Sequence, residues 1–246
     1  FAIEFTKYGE TKEITISGLN YTVQKLSNGT GNFLYSIDEE TGQITFSSGQ
    51  YQIKADTSQK HNVRLTGQNV YFYGGDQGDE IVSAGRSVCI LGGSGNDHII
   101  CERDTTVSAG DGDDVIDIKY GNQIRVYAGN GNNKINLYTN ITYGYIDTGP
   151  GNSIVEGKNA NGTTNTNRNL TKCVVVGNGS STFNVNGTFT NTIITGFTQG
   201  VGADKSDNSY TRVDLGRYET KTVTVNGKEY TVSVKNTATT GDSCFI

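Results

Sequence analysis

Cut into segments of 17 to 20 residues, the middle of this chain lines up its apolar positions in columns. Ile81, Ile99, Ile116, Ile135, Val155 and Phe183 form one column. Ser83, Cys101, Ile118 and Leu137 form the next, and Phe72, Ile90, Val107, Val126, Ile146 and Val174 a third. Neighbours on either side are mostly polar, the period of two that a strand with one buried side requires. Segments this short cannot bury their own face alone, so the columns predict stacked strands in a solenoid. Few windows carry a helical period, and the predicted class is all-β. Earlier runs, Gln43–Phe46, Tyr51–Lys54 and Val63–Leu65, extend the pattern as the first coils. Hairpin patterns flank the array: 13–23 with a Ser17-Gly18 turn, and 222–232 with an Asn226-Gly227 turn. The predicted organisation is a hairpin and capping strands over 1–73, the repeat array over 74–185, and a cap with a second hairpin over 186–246. An Asn-, Gly- and Thr-rich loop, Lys158–Asn169, interrupts the array.

Between the columns lie glycine-rich turns. Gly-Gly-Ser-Gly-Asn-Asp-His-Ile-Ile at 92–100 and Ala-Gly-Asp-Gly-Asp-Asp-Val-Ile-Asp at 109–117 fit the nonapeptide G-G-x-G-x-D-x-U-x, U being a large aliphatic. Looser copies begin at Gly74, Ala128, Thr148 and Val176. The sixth position reads Asp79, Asp97, Asp114, Asn133, Ser153 and Ser181, at steps of 18, 17, 19, 20 and 28 residues. One such turn per coil stacks these residues along one edge. Neighbouring coils lie about 5 Å apart. Carboxylates stacked at that distance repel by roughly 1 kcal/mol in water and about 3 kcal/mol at a surface-like dielectric. A hard divalent cation with oxygen ligands relieves the repulsion, and calcium tolerates an irregular mixture of carbonyls and carboxylates.

Composition narrows the alternatives. Thirty-three glycines, one proline and no Trp or Met in 246 residues suit turns and short strands. The net charge of −5 suggests no nucleic-acid partner, and no run is long and apolar enough to span a membrane. The chain opens on a polar, strand-like segment rather than a signal peptide, as expected of a mature or excised fragment or of export without an N-terminal signal. Cys101 faces the core as a small hydrophobe. Cys89 and Cys173 are expected in one outward column, and spacing assigns no disulfide among Cys89, Cys173 and Cys244. His98, at a variable outward position, is expected to be a solvated surface residue.

On the nonapeptides, residues 74–156 resemble the RTX, or haemolysin-type calcium-binding, family, and Ile194–Gly200 with Asp204 loosely resembles the segment after its arrays. The resemblance implies a right-handed parallel β-roll, or β-helix, folding on calcium outside the cell. It implies ligation by Asp79, Asp97 and Asp114, with carbonyls at positions one, three and five: Gly74, Asp76 and Gly78; Gly92, Ser94 and Asn96; Ala109, Asp111 and Asp113. The chain departs from the family in two respects. The opposite edge, for example 84–87, lacks the motif, and uncharged residues replace the aspartate from Asn133 onward, where the side chain is expected to bond its own turn.

Three functions stay open. The first is a non-catalytic extracellular calcium-binding module of a larger secreted or surface protein, adhesin- or toxin-like, with calcium as cofactor. The second is a carbohydrate-binding or carbohydrate-active β-helix using outward Tyr71, Tyr73, Tyr127 and Tyr145 against a surface glycan. The third is a hydrolase, which the absence of H-E-x-x-H, of G-x-S-x-G and of a plausible Cys-His pair counts against; the acids lie in the turns, and no enzyme is expected. The likeness of Lys7–Gly18 to Arg217–Gly227 suggests one unit of a tandem protein with sister modules.

Overall fold

The computed structural model describes residues 1–190 and 192–202, and the backbone of 220–225 and 228–233. Among these residues there is no helix. Four antiparallel strands open the chain: β1 (Ala2–Phe5), β2 (Thr11–Ile16), β3 (Leu19–Lys25) and β4 (Gly31–Ile37). Ser17 and Gly18 close the β2–β3 hairpin at φ 51 and 79, the left-handed pair such a turn demands.

Eight coils follow, each pairing a strand of one sheet with a strand of the sheet facing it. The first four are β5 (Ile44–Phe46) with β6 (Tyr51–Ala55), β7 (Asn62–Leu65) with β8 (Tyr71–Tyr73), β9 (Glu80–Ser83) with β10 (Val88–Ser94), and β11 (His98–Cys101) with β12 (Thr105–Asp111). Next come β13 (Val115–Ile118) with β14 (Arg125–Tyr127) and β15 (Lys134–Leu137) with β17 (Tyr145–Asp147), β16 (Ile141–Thr142) lying between the latter two. The last coils are β18 (Ile154–Gly157), β19 (Leu170–Thr171) and β20 (Val174–Val176), then β21 (Thr182–Asn184), β22 (Phe189–Thr190) and β23 (Ile193–Thr195). Every coil pairs in parallel with the next, and the cap strands cover the N-terminal end through β3 on β6 and β4 on β5. β16, β19 and β22 form a short third sheet where the return corner widens. The 158–169 loop leaves there and is tied back by Arg168 Nε, which donates to Leu137 O at 2.9 Å. A separate hairpin, β24 (Thr220–Val225) with β25 (Lys228–Ser233), follows; Asp204, Arg217–Glu219, the Asn226-Gly227 turn and Cys244 lie outside the described residues.

The core is the set of columns. Ile81, Ile99, Ile116, Ile135, Val155 and Phe183 stack in register and are fully buried, as are Ser83, Cys101, Ile118 and Leu137. The third column holds from Phe72 to Ile146, but its last member is Val175, which pairs with Ile146, and not Val174. The final turn is one residue shorter than those before it, so counting back from its glycines misplaces the strand by one. The same slip corrects Cys173: it is a buried free thiol, while Val174 shares the outward column with Cys89.

The glycines are fixed by contact between coils. A Cβ on Gly92 would stand 2.2 Å from Ala109 O and 2.3 Å from Asp97 Oδ2, so no side chain fits. Gly93 sits at φ 111, which L residues rarely adopt.

Burial along the columns sets a stability expectation. Ile99→Ala removes an enclosed side chain and should cost about 2–5 kcal/mol. Its outward neighbour Ile100→Ala should cost about 1 kcal/mol or less. Urea unfolding of the two variants checks the difference.

Candidate functional site

The sixth-position residues form one buried column that begins a coil earlier than the nonapeptides indicate. His61 precedes Asp79 in register, and His61, Asp79, Asp97, Asp114, Asn133, Ser153 and Ser181 are each at most 1% exposed. The backbone N–H here lies at a turn–strand junction. From His61 to Asn133, each N–H is bonded to the side-chain oxygen one coil ahead. His61 N donates to Asp79 Oδ1 at 2.8 Å, Asp79 N to Asp97 Oδ1 at 2.6 Å, and Asp97 N to Asp114 Oδ1 at 2.8 Å. Asp114 N donates to Asn133 Oδ1 at 2.9 Å, and Asn133 N to Ser153 Oγ at 3.0 Å. At the N-terminal end the His61 ring bonds Tyr21 Oη and Asp56 O, both at 2.9 Å.

What distinguishes the coils is the second side-chain atom. Asn133 Nδ2 donates to Gly129 O at 3.3 Å and to Thr148 O, the position-one carbonyl of the next coil, at 3.4 Å. Ser153 Oγ likewise donates to Thr148 O at 3.2 Å. These uncharged residues therefore bond their own turn, as expected. In the aspartate coils an oxygen stands in place of that donor. Asp79 Oδ2 accepts from Gly75 N at 2.7 Å. Asp97 Oδ2 and Asp114 Oδ2 are buried with no partner. Asp97 Oδ2 and Ala109 O both crowd the missing Cβ of Gly92, so two acceptors face one another there. Burial pushes the Asp97 carboxyl up to about 7, its Asp79 bond opposing and the Asp114 and Asp79 charges adding to the rise. Burial also pushes Asp114 up to about 6, with Asp113 and Asp111 adding.

The other expected ligands divide by position. Gly74, Gly92 and Ala109 stack beneath the column, with Gly92 O pressed on Gly74 and Ala109 O on Gly92. Asp76, Ser94 and Asp111 lie on the exposed outer lip of the turn, and Asp111 Oδ1 accepts from Asn130 Nδ2 at 2.6 Å. At position five, Gly78 is buried, whereas Asn96 and Asp113 are exposed. They belong to a second ladder that the sequence reading missed: Asp113 N donates to Asn96 Oδ1, Asn132 N to Asp113 Oδ1 and Asn152 N to Asn132 Oδ1, at 2.8, 2.7 and 3.0 Å. The recurrence of Asn or Asp in that slot from Asn96 to Asn152 was the available signal. Among the described residues, no three His, Cys, Asp or Glu side chains converge to hold an ion. An ion in these turns would therefore need backbone carbonyls beside one or two carboxylates. The orphaned oxygens of Asp97 and Asp114 and the facing carbonyl make that donor set fit calcium, a hard cation with oxygen ligands.

Acids also lie outside the turns, which corrects the expectation that they cluster there. On the outward side of the first sheet, Asp117 and Glu156 are nearly buried. His98 is half-buried and paired, not merely solvated: its Nε2 lies 3.2 Å from Asp117 Oδ2 and its Nδ1 3.8 Å from Glu80 Oε2. The bond to Asp117 raises the imidazole pKa. Burial opposes ionisation of Asp117, but bonds from His98 and Asn136 bring its carboxyl below the usual range. Lys134 and Lys158 hold Glu156 at 3.2 and 2.9 Å.

Compared with known protein families, curated proteins and solved structures, the chain matches none.

Two expectations follow from the orphaned oxygens. Both raised carboxyls bind protons more tightly folded than unfolded, so in chelator stability falls as pH rises from about 4 through 7. Thermal melts in chelator should be higher at about pH 5 than at about pH 8, and a flat profile would contradict the burial of unpaired charge. In addition, Asp97→Asn keeps the acceptor for Asp79 N–H and replaces the orphaned oxygen with a donor, so it should stabilise the calcium-free chain. Asp97→Ala leaves that N–H buried and unpaired, at a cost of about 1–3 kcal/mol. Denaturant unfolding in chelator orders the variants.

Proposed function

We propose that this chain is a non-catalytic, calcium-binding β-solenoid of the RTX kind, a rigid module of a larger secreted or cell-surface protein. The observation that carries the reading is the pair of buried, unpartnered carboxylate oxygens, Asp97 Oδ2 and Asp114 Oδ2, in a column whose other members are hydrogen-bonded. A proton or a cation can satisfy such an oxygen. Near neutral pH, calcium supplies the charge that burial withholds, and position-one carbonyls such as Ala109 O complete an all-oxygen environment. With few carboxylates per site, affinity should fall near 10⁻⁴–10⁻³ M, roughly the range of extracellular modules. Sites that weak fill only where calcium is abundant, which favours an extracellular setting.

The sheet faces support a structural role. Several charges there pair with one another, His98 with Asp117, Lys134 and Lys158 with Glu156, and Arg64 with Glu102 at 2.5 Å. The two hairpins support sister modules: Thr11↔Gln24 through Ile16↔Leu19 has the same length and pairing as Thr220↔Ser233 through Val225↔Lys228.

Thermal melts followed by circular dichroism test the reading. At calcium a hundredfold above Kd, each occupied site adds about 2.7 kcal/mol, so the melting temperature should rise by several degrees over chelator. Magnesium at the same concentration should do less, because it demands near-octahedral geometry. Coincident melts in calcium and chelator would refute the proposal.

A further inference from the structure

The second sheet carries an outward hollow that the turn chemistry leaves unused. Strand alternation sends Phe72 inward and Tyr71 and Tyr73 outward, both half-buried. With Tyr8 from the N-terminal cap and the carboxamides of Gln50, Gln52 and Asn69, they line a concavity of about 470 Å³. Leu26 is the one aliphatic side chain among its described lining residues. A second concavity, about 340 Å³, shares Asn69 and Tyr71 and continues past Thr106 to Arg125. The two adjoin at Asn69 and Tyr71, but the second is charged, with Asp104 and Arg125 in its lining. Gln50 and Asn69 hold left-handed backbone at φ 62 and 55, so the return corners fix where these amides start.

We propose that the larger hollow binds a neutral oligosaccharide. Phenol rings offer flat apolar faces with a hydroxyl at the tip. Each carboxamide offers both donor and acceptor, as a row of sugar hydroxyls requires. No carboxylate, ammonium or guanidinium lines the larger hollow, so an anionic ligand finds no counter-charge there. The nearby Lys54 ammonium is engaged over the Tyr73 ring, 5.0 Å from its centroid. That leaves Tyr8, 62% exposed, and Tyr71 as the stacking rings. Each hollow falls within the range of about 300–1,000 Å³ usual for small-molecule sites. Peptide capture by strand addition needs an unpaired sheet edge, whereas β6 and β8 are both paired on either side. The net charge of −5 disfavours a polyanion.

Isothermal titration of the full chain, in calcium, against soluble gluco-, manno-, galacto- and xylo-oligosaccharides tests the proposal. At least one series should bind. Tyr71→Ala should weaken that binding roughly tenfold or more. Tyr8→Ala, an exposed change that cannot unfold the core, should weaken it as well. Tyr145→Ala, four strands beyond Tyr71 in its column and outside both hollows, should leave it unchanged. Failure of every neutral series, binding to acidic oligosaccharides alone, or full affinity in both Tyr8→Ala and Tyr71→Ala would overturn it.

Discussion

A buried backbone N–H at each turn–strand junction is the constraint on which this solenoid depends. The turn lifts that N–H out of the regular ladder, and leaving it unpaired would cost about 1–3 kcal/mol in every coil. The solution repeats from His61 to Ser153: an oxygen on the side chain of the next coil accepts the bond. The side chain must be short, must carry an oxygen and must lie under a turn flat enough to let the next coil approach. Asp, Asn and Ser meet the first two demands, and glycine meets the third, as Gly92 shows against Ala109 O.

The same constraint separates the two kinds of coil. Asparagine and serine satisfy the junction and then donate to a turn carbonyl, as Asn133 and Ser153 both do to Thr148 O. Aspartate satisfies the junction equally well but sets an oxygen against that carbonyl. At Asp97 and Asp114 the mismatch is buried. The turns of Asp97 and Asp114 therefore hold two orphaned oxygens in a column whose other side chains are hydrogen-bonded. The proposed calcium binding would follow from a hydrogen-bonding solution that uses a carboxylate where an amide would have sufficed.

The strand columns were legible in the sequence because burial on one side imposes a period of two and stacking imposes a second period near one coil. Ile81 through Phe183 could be placed on those grounds alone. Val174 and Cys173 could not, since the last turn drops one residue and nothing local marks the loss. His61 was invisible because its turn, Asp56–Lys60, contains no glycine, yet it occupies the column. The direction of the ladder was equally hidden: the spacing stacks Asp97 on Asp114 but cannot tell that one bonds the backbone of the other. The pairing of His98 with Asp117, one coil and one outward column apart, depends on side-chain reach rather than on any motif.

The central claim concerns what stands opposite Asp97 Oδ2 and Asp114 Oδ2, and a crystal structure of the chain grown in calcium addresses it most directly through the anomalous signal of the ion. The account predicts anomalous peaks in the turns of Asp97 and Asp114, in contact with those two oxygens, and none in the turns of Ser153 and Ser181. Well-ordered turns in high calcium with no peak at either aspartate would contradict it.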